Sequence, residues 1–377
     1  MLMDRRQFLK YLRLVIDEHN VLMPDLLPTP AINSYTNWGR LEEVWLGDCY
    51  PAHFYDNLES EVRDIFYEIT EKTQEDLTVI HRKLEEFGVQ VRRPRYDRIE
   101  DFLQRPDHPT GAGQLRKPMI TPRDQFLVFG NTLYGHSWFH RPWADAIAEY
   151  SQDLASHIFK CPNVPEVTHI CGANTVRVGR DLYLDTHYSQ EGVGDTNGLK
   201  NIFKDYRLHL LNNGGHVDAC FAVLKPGVLL TSKYFSDYDR TFPGWECINI
   251  NQPEFSKHNL HWRTGPNGNN KWYLPGITES AKFNEHVIKH AQDWVGDYTE
   301  TYFEVNCLVI DEHNVLILGE NEGVFRELEH HGITAHSLPF RTRTFWDGGL
   351  HCLTLDIRRQ DTMVDLFPER TEEFYTY

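Results

Sequence analysis

Two apolar runs, Val305–Ile310 and Val315–Leu318, flank the polar tetrapeptide Asp311-Glu312-His313-Asn314, a pattern that predicts a β-hairpin across Phe303–Gly319. Beyond it, Glu322–His331 carries Val324, Phe325 and Leu328 at helical spacing, Gly332 is suited to end that helix, and Ile333–Leu338 reads as a closing strand. The same order recurs. Gln125–Tyr134 turns at Gly130-Asn131, Thr175–Leu184 at Gly179-Arg180-Asp181 and Ala219–Thr231 at Lys225-Pro226-Gly227, each apolar on both sides of its turn. Leu41–Leu46, the long helical stretch Leu58–Phe87 and Val89–Val91 supply parts of a fifth unit, which Leu350–Ile357 completes from the far end of the chain.

A repeated unit that cannot bury its own apolar face stacks on its neighbours, and a ring of such units needs no capping repeat. The expectation is therefore an α/β fold: a closed ring of ββαβ-like units with its helices outside. Residues 255–300, rich in Gly, Asn, His and Trp, lack clear periodicity and read as a long functional loop, with Trp262, Trp272 and Trp294 as packing residues or parts of a lid. Residues 1–36 read as an N-terminal extension with an amphipathic helix over 4–18, and 37–377 as one catalytic domain. Arg5-Arg6 also resembles the start of an export signal, but Arg13, Asp17 and Glu18 interrupt the apolar stretch such a signal needs, which leaves export as the second reading. No run of about 18 apolar residues occurs, which argues against a membrane span.

Charge narrows the partners. With 38 Lys and Arg against 55 Asp and Glu, the net charge of -17 repels phosphate backbones and anionic lipid, so nucleic acid and membrane are excluded as partners. The same field attracts small cations, arginine among them. Seven cysteines, scattered without a C-x-x-C pair, point to a reducing compartment and a cytoplasmic protein. The histidines show no zinc-finger or H-E-x-x-H spacing, so no metal is expected.

Two short segments place reactive residues beside glycine: Asn213-Gly214-Gly215-His216-Val217-Asp218 and Asp347-Gly348-Gly349-Leu350-His351-Cys352. Glycine there permits close ligand approach. In an extended segment residues two apart share a face, so His216 and Asp218 point into one space. Asp124 ends the segment Thr121-Pro122-Arg123-Asp124 at a strand start, where ligand sites are commonly built. A buried guanidinium, with five donors and no acceptor, needs carboxylates, and Asp124 and Asp218 are of that kind. Taken singly, each has a plainer reading: a lone cysteine is usually a small buried hydrophobe, His216 and Asp218 a local turn pair, Asp124 a turn cap.

Together these residues resemble the arginine:glycine amidinotransferase family of the pentein fold. The shared pieces are Asn37-Trp38-x-x-Leu41-x-x-Val44-x-x-Gly47, Pro122-Arg123-Asp124 with Phe129-Gly130-Asn131, Arg177-x-Gly179-Arg180-Asp181, His216-x-Asp218, Pro226-Gly227, and Gly348-Gly349-x-His351-Cys352-x-Thr354-x-Asp356-x-Arg358-Arg359. The resemblance implies a five-bladed α/β propeller around a central active site, no cofactor, and a homodimer as the family's habit. It implies Cys352 as nucleophile, His216 as general acid and base, and Asp124 and Asp218 as the guanidinium clamp, with Asn174 and Gly349 also on the substrate. Arginine is then the donor and a small-molecule amine the acceptor, in ping-pong order.

The chain departs from the family at three places. Ile170-Cys171-Gly172-Ala173-Asn174 stands where relatives carry Phe-Asp-Ala-Ala, so Cys171 replaces the carboxylate that orients the histidine. Phe235 falls where the donor's carboxylate meets an arginine, and Thr299 and Glu300 fall on paired serines, which implies an acceptor other than glycine. A guanidino hydrolase of the same fold and a catalytically silent guanidine-binding protein are the rival functions.

Overall fold

The apolar runs that flank polar turns do close into hairpins. The computed structural model of the chain describes residues 30–96, 116–135, 141–152, 171–185, 199–201, 203–211, 216–232, 238–250, 274, 276–291, 294 and 304–376. In chain order the elements are β1 (Arg40–Leu46), α1 (Ser60–Glu86), β2 (Gln90–Arg92), β3 (Phe126–Phe129), β4 (Thr132–Gly135), α2 (Ala144–Gln152), β5 (Thr175–Val178), β6 (Asp181–Asp185), β7 (Arg207–Leu211), β8 (Phe221–Lys225) and β9 (Val228–Thr231). There follow α3 (Tyr238–Thr241), β10 (Glu246–Asn249), α4 (Ala281–His290), β11 (Leu308–Asp311), β12 (Asn314–Leu318), α5 (Glu322–His330), β13 (Thr334–Leu338), α6 (Arg343–Trp346), β14 (Thr354–Gln360) and β15 (Phe374–Thr376).

Among the described residues the strands form five sheets on one plan. An antiparallel hairpin comes first: β3-β4, β5-β6, β8-β9 and β11-β12. A third strand then lies parallel to the second, β7 on β6, β10 on β9 and β13 on β12. The remaining sheet repeats this plan with pieces from both ends of the chain. Here β14 runs antiparallel to β1, with Val44 opposite Asp356, and β2 returns parallel to β1 after the long crossover helix α1. On α1 the residues Val62, Phe66, Ile69, Leu77, Ile80 and Leu84 recur at helical spacing and are all buried, each contributing about 1.5–3 kcal/mol. The fold is therefore the α/β pentein type that the repeats imply.

Asp356 on β14 is fully buried and receives Arg123 Nη2 at 2.6 Å, Arg359 Nε at 2.6 Å, and Arg177. Burial alone would raise this carboxyl, but the three guanidinium groups hold it well below the ordinary carboxylate range. One carboxylate thus ties three units of the ring together. Residues 33–36 cross the same region, Asn33 bridging to Arg358, Ser34 to Gly130 and Thr36 to Val178. The segment after β14 lies against the β5-β6 turn, where Gly179 has φ 64° and a Cβ would meet the Val364 carbonyl oxygen at 2.1 Å. Only glycine fits there.

Several expectations are corrected. The stretch 255–300 is not all loop: α4 is capped by Ser280, whose side chain accepts from the Phe283 amide, and it buries Phe283 and Val287. Trp294 is fully buried against Tyr50, Phe66 and Trp346, so it is core and not lid. The predicted strand Leu350–Ile357 begins only at Thr354, because residues 350–353 coil into a tight turn closed by Leu353 N–H on Gly349 O (3.0 Å) and Thr354 N–H on His351 O (3.2 Å). β15, parallel to β7, was not foreseen. The helix expected over 4–18, and Trp262 and Trp272, lie outside the described residues.

Candidate active site

Each unit of the ring offers a polar side chain from the same place, the turn just before the first strand of its hairpin. Asp124 ends the short helical turn Pro122–Asp124 before β3, and Asn174 ends Gly172–Asn174 before β5. Asp218 lies within Val217–Ala219 before β8, Asn306 precedes β11, and Cys352 precedes β14. The Asn174 turn touches both the Asp124 turn and the Asp218 turn.

Around the Cys352 sulfur the contacts are close. Asn306 Nδ2 lies 3.1 Å from Sγ and Asp218 Oδ2 lies 3.4 Å from it. Donor atoms of Asp124, His216 and Cys352 all fall within 4.8 Å of one another, with His216 Nδ1 3.9 Å from Asp124 Oδ1. Cys352 is 1% exposed, whereas the His216 side chain is 31% exposed. Arg123 points away from this cluster: its Nε donates to the carbonyls of His351 (2.7 Å) and Thr354 (2.9 Å), which fixes the cysteine turn against the Asp124 turn.

Three buried acceptors here receive no hydrogen bond: Asp124 Oδ1, Asp218 Oδ1 and Asn174 Oδ1. Leaving such an atom unmet costs about 1–3 kcal/mol, more when it is charged. Three on turns in contact with one another, two of them on carboxylates that adjoin Cys352 or His216, describe a cradle for a ligand rich in donors and positively charged. A guanidinium has that chemistry.

His351, the residue before the nucleophile candidate, sends Nδ1 to Asp218 Oδ2 at 2.8 Å. Burial first, and the charge of Arg123 second, push its pKa down to about 4, so the imidazole is neutral and donates to the carboxylate. Burial would raise Asp218, yet the His351 hydrogen bond and nearby positive charge, Arg123 included, hold it below its ordinary value. A folded-state pKa of about 4 against the ordinary 6.5 means that the unfolded chain binds the extra proton between those values. Stability is therefore expected to fall as pH drops from 6.5 towards 4, by up to about 3 kcal/mol from this residue. His351→Gln should flatten that stretch by about one proton, read from urea midpoints at constant slope. An unchanged pH curve would contradict the assignment.

Of the residues singled out from sequence, Cys352, His216, Asp124 and Asp218 meet at one point, and Asn174 adjoins it. Extended backbone is not what aligns His216 with Asp218: residues 217–219 form a helical turn, and His216 itself is its extended N-terminal neighbour. Gly349 packs on Asn306, since a Cβ there would come 2.6 Å from the Asn306 Cβ. Cys171 is half-buried on the site's wall. Burial and then the Asp124 charge push its thiol up to about 12, so it stands protonated where an acid was expected. Asn306 was missed, and His351 had been given no role. Besides the Asp124, His216 and Cys352 set, the described residues Glu246, Glu327 and His331 also bring three donor atoms within 4.8 Å, at the surface.

No family model matches the chain. It is 23% identical over 323 residues to inosamine-phosphate amidinotransferase 1 of Streptomyces glaucescens, covering 78% of this chain and 82% of that one. It is 21% identical to the L-arginine:L-lysine amidinotransferase of Pseudomonas savastanoi pv. phaseolicola, over 89% and 96% of the two chains. Among solved structures, SxtG, an amidinotransferase of Microseira wollei from the saxitoxin biosynthetic pathway, superposes with a TM-score of 0.62 at 21% identity, covering 89% of this chain and all of that one. These matches show a chain that is similar in sequence to amidinotransferases and that shares the pentein fold with SxtG, in keeping with units that repeat one ββαβ plan.

Proposed function

We propose that this chain moves the amidino group of L-arginine onto Cys352 and then to a primary amine of a small acceptor other than glycine, releasing ornithine. The observation that carries the reading is the set of three unmet buried acceptors on Asp124, Asp218 and Asn174, on turns in contact with one another, of which Asp218 also meets the Cys352 sulfur. Asp124 and Asp218 grip the guanidinium, with Asn174 as a neutral acceptor, and the sulfur attacks the guanidine carbon. That carbon is a poor electrophile because the cation is resonance-stabilised. A strong nucleophile and a proton for the leaving nitrogen are both needed.

A free thiol is only a few per cent ionised at neutral pH, and the bound cation favours the anion electrostatically. His216 takes the S–H proton as the sulfur bonds to carbon, and the tetrahedral adduct then breaks its bond to the ornithine nitrogen as His216 gives that proton to it. Ornithine leaves, and an amidino-cysteine remains. The acceptor amine then loses its proton to His216, bonds to the amidino carbon and expels the thiolate. No step calls on a cofactor. Cysteines that are scattered along the chain without a C-x-x-C pair suit a cytoplasmic home.

The acceptor, on this reading, is a biosynthetic intermediate of the saxitoxin type, a reading supported by the likeness to SxtG. Phe235, Thr299 and Glu300, on which the expectation of a non-glycine acceptor rests, lie outside the described residues. Arginine labelled in its amidino carbon, offered with a panel of primary amines, tests the whole reading. Ornithine and a labelled guanidino product are expected. Labelled citrulline in place of that product would assign the chain as a hydrolase, and no turnover would favour a silent binding protein.

A further inference from the structure

We infer that Asn306 is the group that holds the Cys352 sulfur in reacting position and supplies the N–H that stabilises its anion, a role that rests on reading Cys352 as the nucleophile. Asn306 is 1% exposed in the turn before β11. Its Oδ1 accepts the Cys352 backbone N–H at 3.0 Å, and its Nδ2 lies 3.1 Å from Sγ. The orientation of the amide follows from chemistry: a backbone N–H only donates, so the oxygen must face it and the amino group is left for the sulfur. The Asn306 carbonyl also accepts the His351 N–H at 3.2 Å, so one residue takes both amide hydrogens of the His351-Cys352 turn.

The other side of the sulfur has the opposite character. Asp218 Oδ2 at 3.4 Å is an acceptor, suited to the S–H of the resting thiol and repelled by a thiolate. Asn306 is a donor, suited to the thiolate once the S–H proton has gone. A hydrogen bond to an ionised partner is roughly twice as strong as a neutral one, so the amide favours the anion. Gly349 completes the arrangement. A side chain there would press within 2.6 Å of the Asn306 Cβ and 2.7 Å of its Oδ1, pushing the amide off the cysteine.

Three variants separate this role from simple packing. Asn306→Asp keeps an oxygen for the Cys352 N–H but puts a second acceptor against the sulfur, Asn306→Ala removes the amide, and Gly349→Ala displaces it without altering it. The readout is the pH dependence of iodoacetamide alkylation at Cys352, followed on its peptide by mass spectrometry. All three are expected to move the alkylation midpoint up by about one to two pH units and to slow amidino transfer from arginine about 10–100-fold. Midpoints that stay at the wild-type value in folded Asn306 variants overturn the inference. Should neither Asn306 variant fold, an unmoved midpoint in Gly349→Ala does so. Because alkylation needs no turnover, a wild type that takes no amidino group from arginine sinks the proposed function alone, and the midpoint still decides the role of Asn306.

Discussion

Replacing Cys352 by serine is expected to lower amidino transfer by about 10,000-fold or more, the scale seen when a covalent nucleophile is removed. A serine hydroxyl is far weaker as an anion at neutral pH, and the amidino group would have no sulfur to wait on. The substitution is close in shape: the hydroxyl still accepts from Asn306 Nδ2 and faces Asp218, so the fold and the carboxylate grip survive. Arginine affinity should therefore stay near wild type while chemistry disappears. Intact-mass measurement after exposure to arginine alone gives the sharpest view, with one amidino increment on wild type and none on Cys352→Ser. Normal turnover by the serine protein, or an increment that persists on it, would remove the basis for covalent catalysis here.

His216→Ala should reduce turnover by about 100–10,000-fold, the usual span for loss of a general acid and base. Its side chain is 31% exposed and holds no core position, so stability should change by no more than about 0.5 kcal/mol. On the proposed mechanism both half-reactions use the imidazole, first to protonate ornithine's nitrogen and then to take the acceptor's proton. Rapid-quench experiments should accordingly show slow formation and slow discharge of the amidino-cysteine, and added imidazole should restore part of each. If only the second phase slows, another group protonates the leaving nitrogen, and Asp124, the carboxylate 3.9 Å from His216 Nδ1, becomes the candidate.

Much of this architecture is legible in the residues because its signals are local. The hairpins at Gly130-Asn131, Gly179-Arg180 and Pro226-Gly227 stand between apolar runs, and α5 carries Val324 and Leu328 at helical spacing and buries both. Cys352 is legible from its glycines and motif, and His216, Asp218 and Asp124 from the chemistry a guanidinium demands. What escaped depends on contacts distant in sequence. Asn306 falls inside the run Val305–Ile310 that reads as a strand, yet the strand begins only at Leu308, and the residue shows no role until Cys352, 46 residues on, is folded against it. The helix α4 was hidden because Lys282, Asn284, Glu285 and His286 surround its two buried apolar positions, and only burial on α1 reveals the stripe. β15 is three residues long, too short for periodicity to register, and exists through pairing with β7.

The pairing of β1 with β14 also sets a timetable for biosynthesis. The strand Arg40–Leu46 lacks its antiparallel partner until Thr354–Gln360 has been translated, and that partner is the strand that follows the thiol. A nascent chain halted anywhere before residue 360 carries exposed apolar edges and no assembled chemistry, a long-range closure of the kind that folds slowly and calls for chaperone protection.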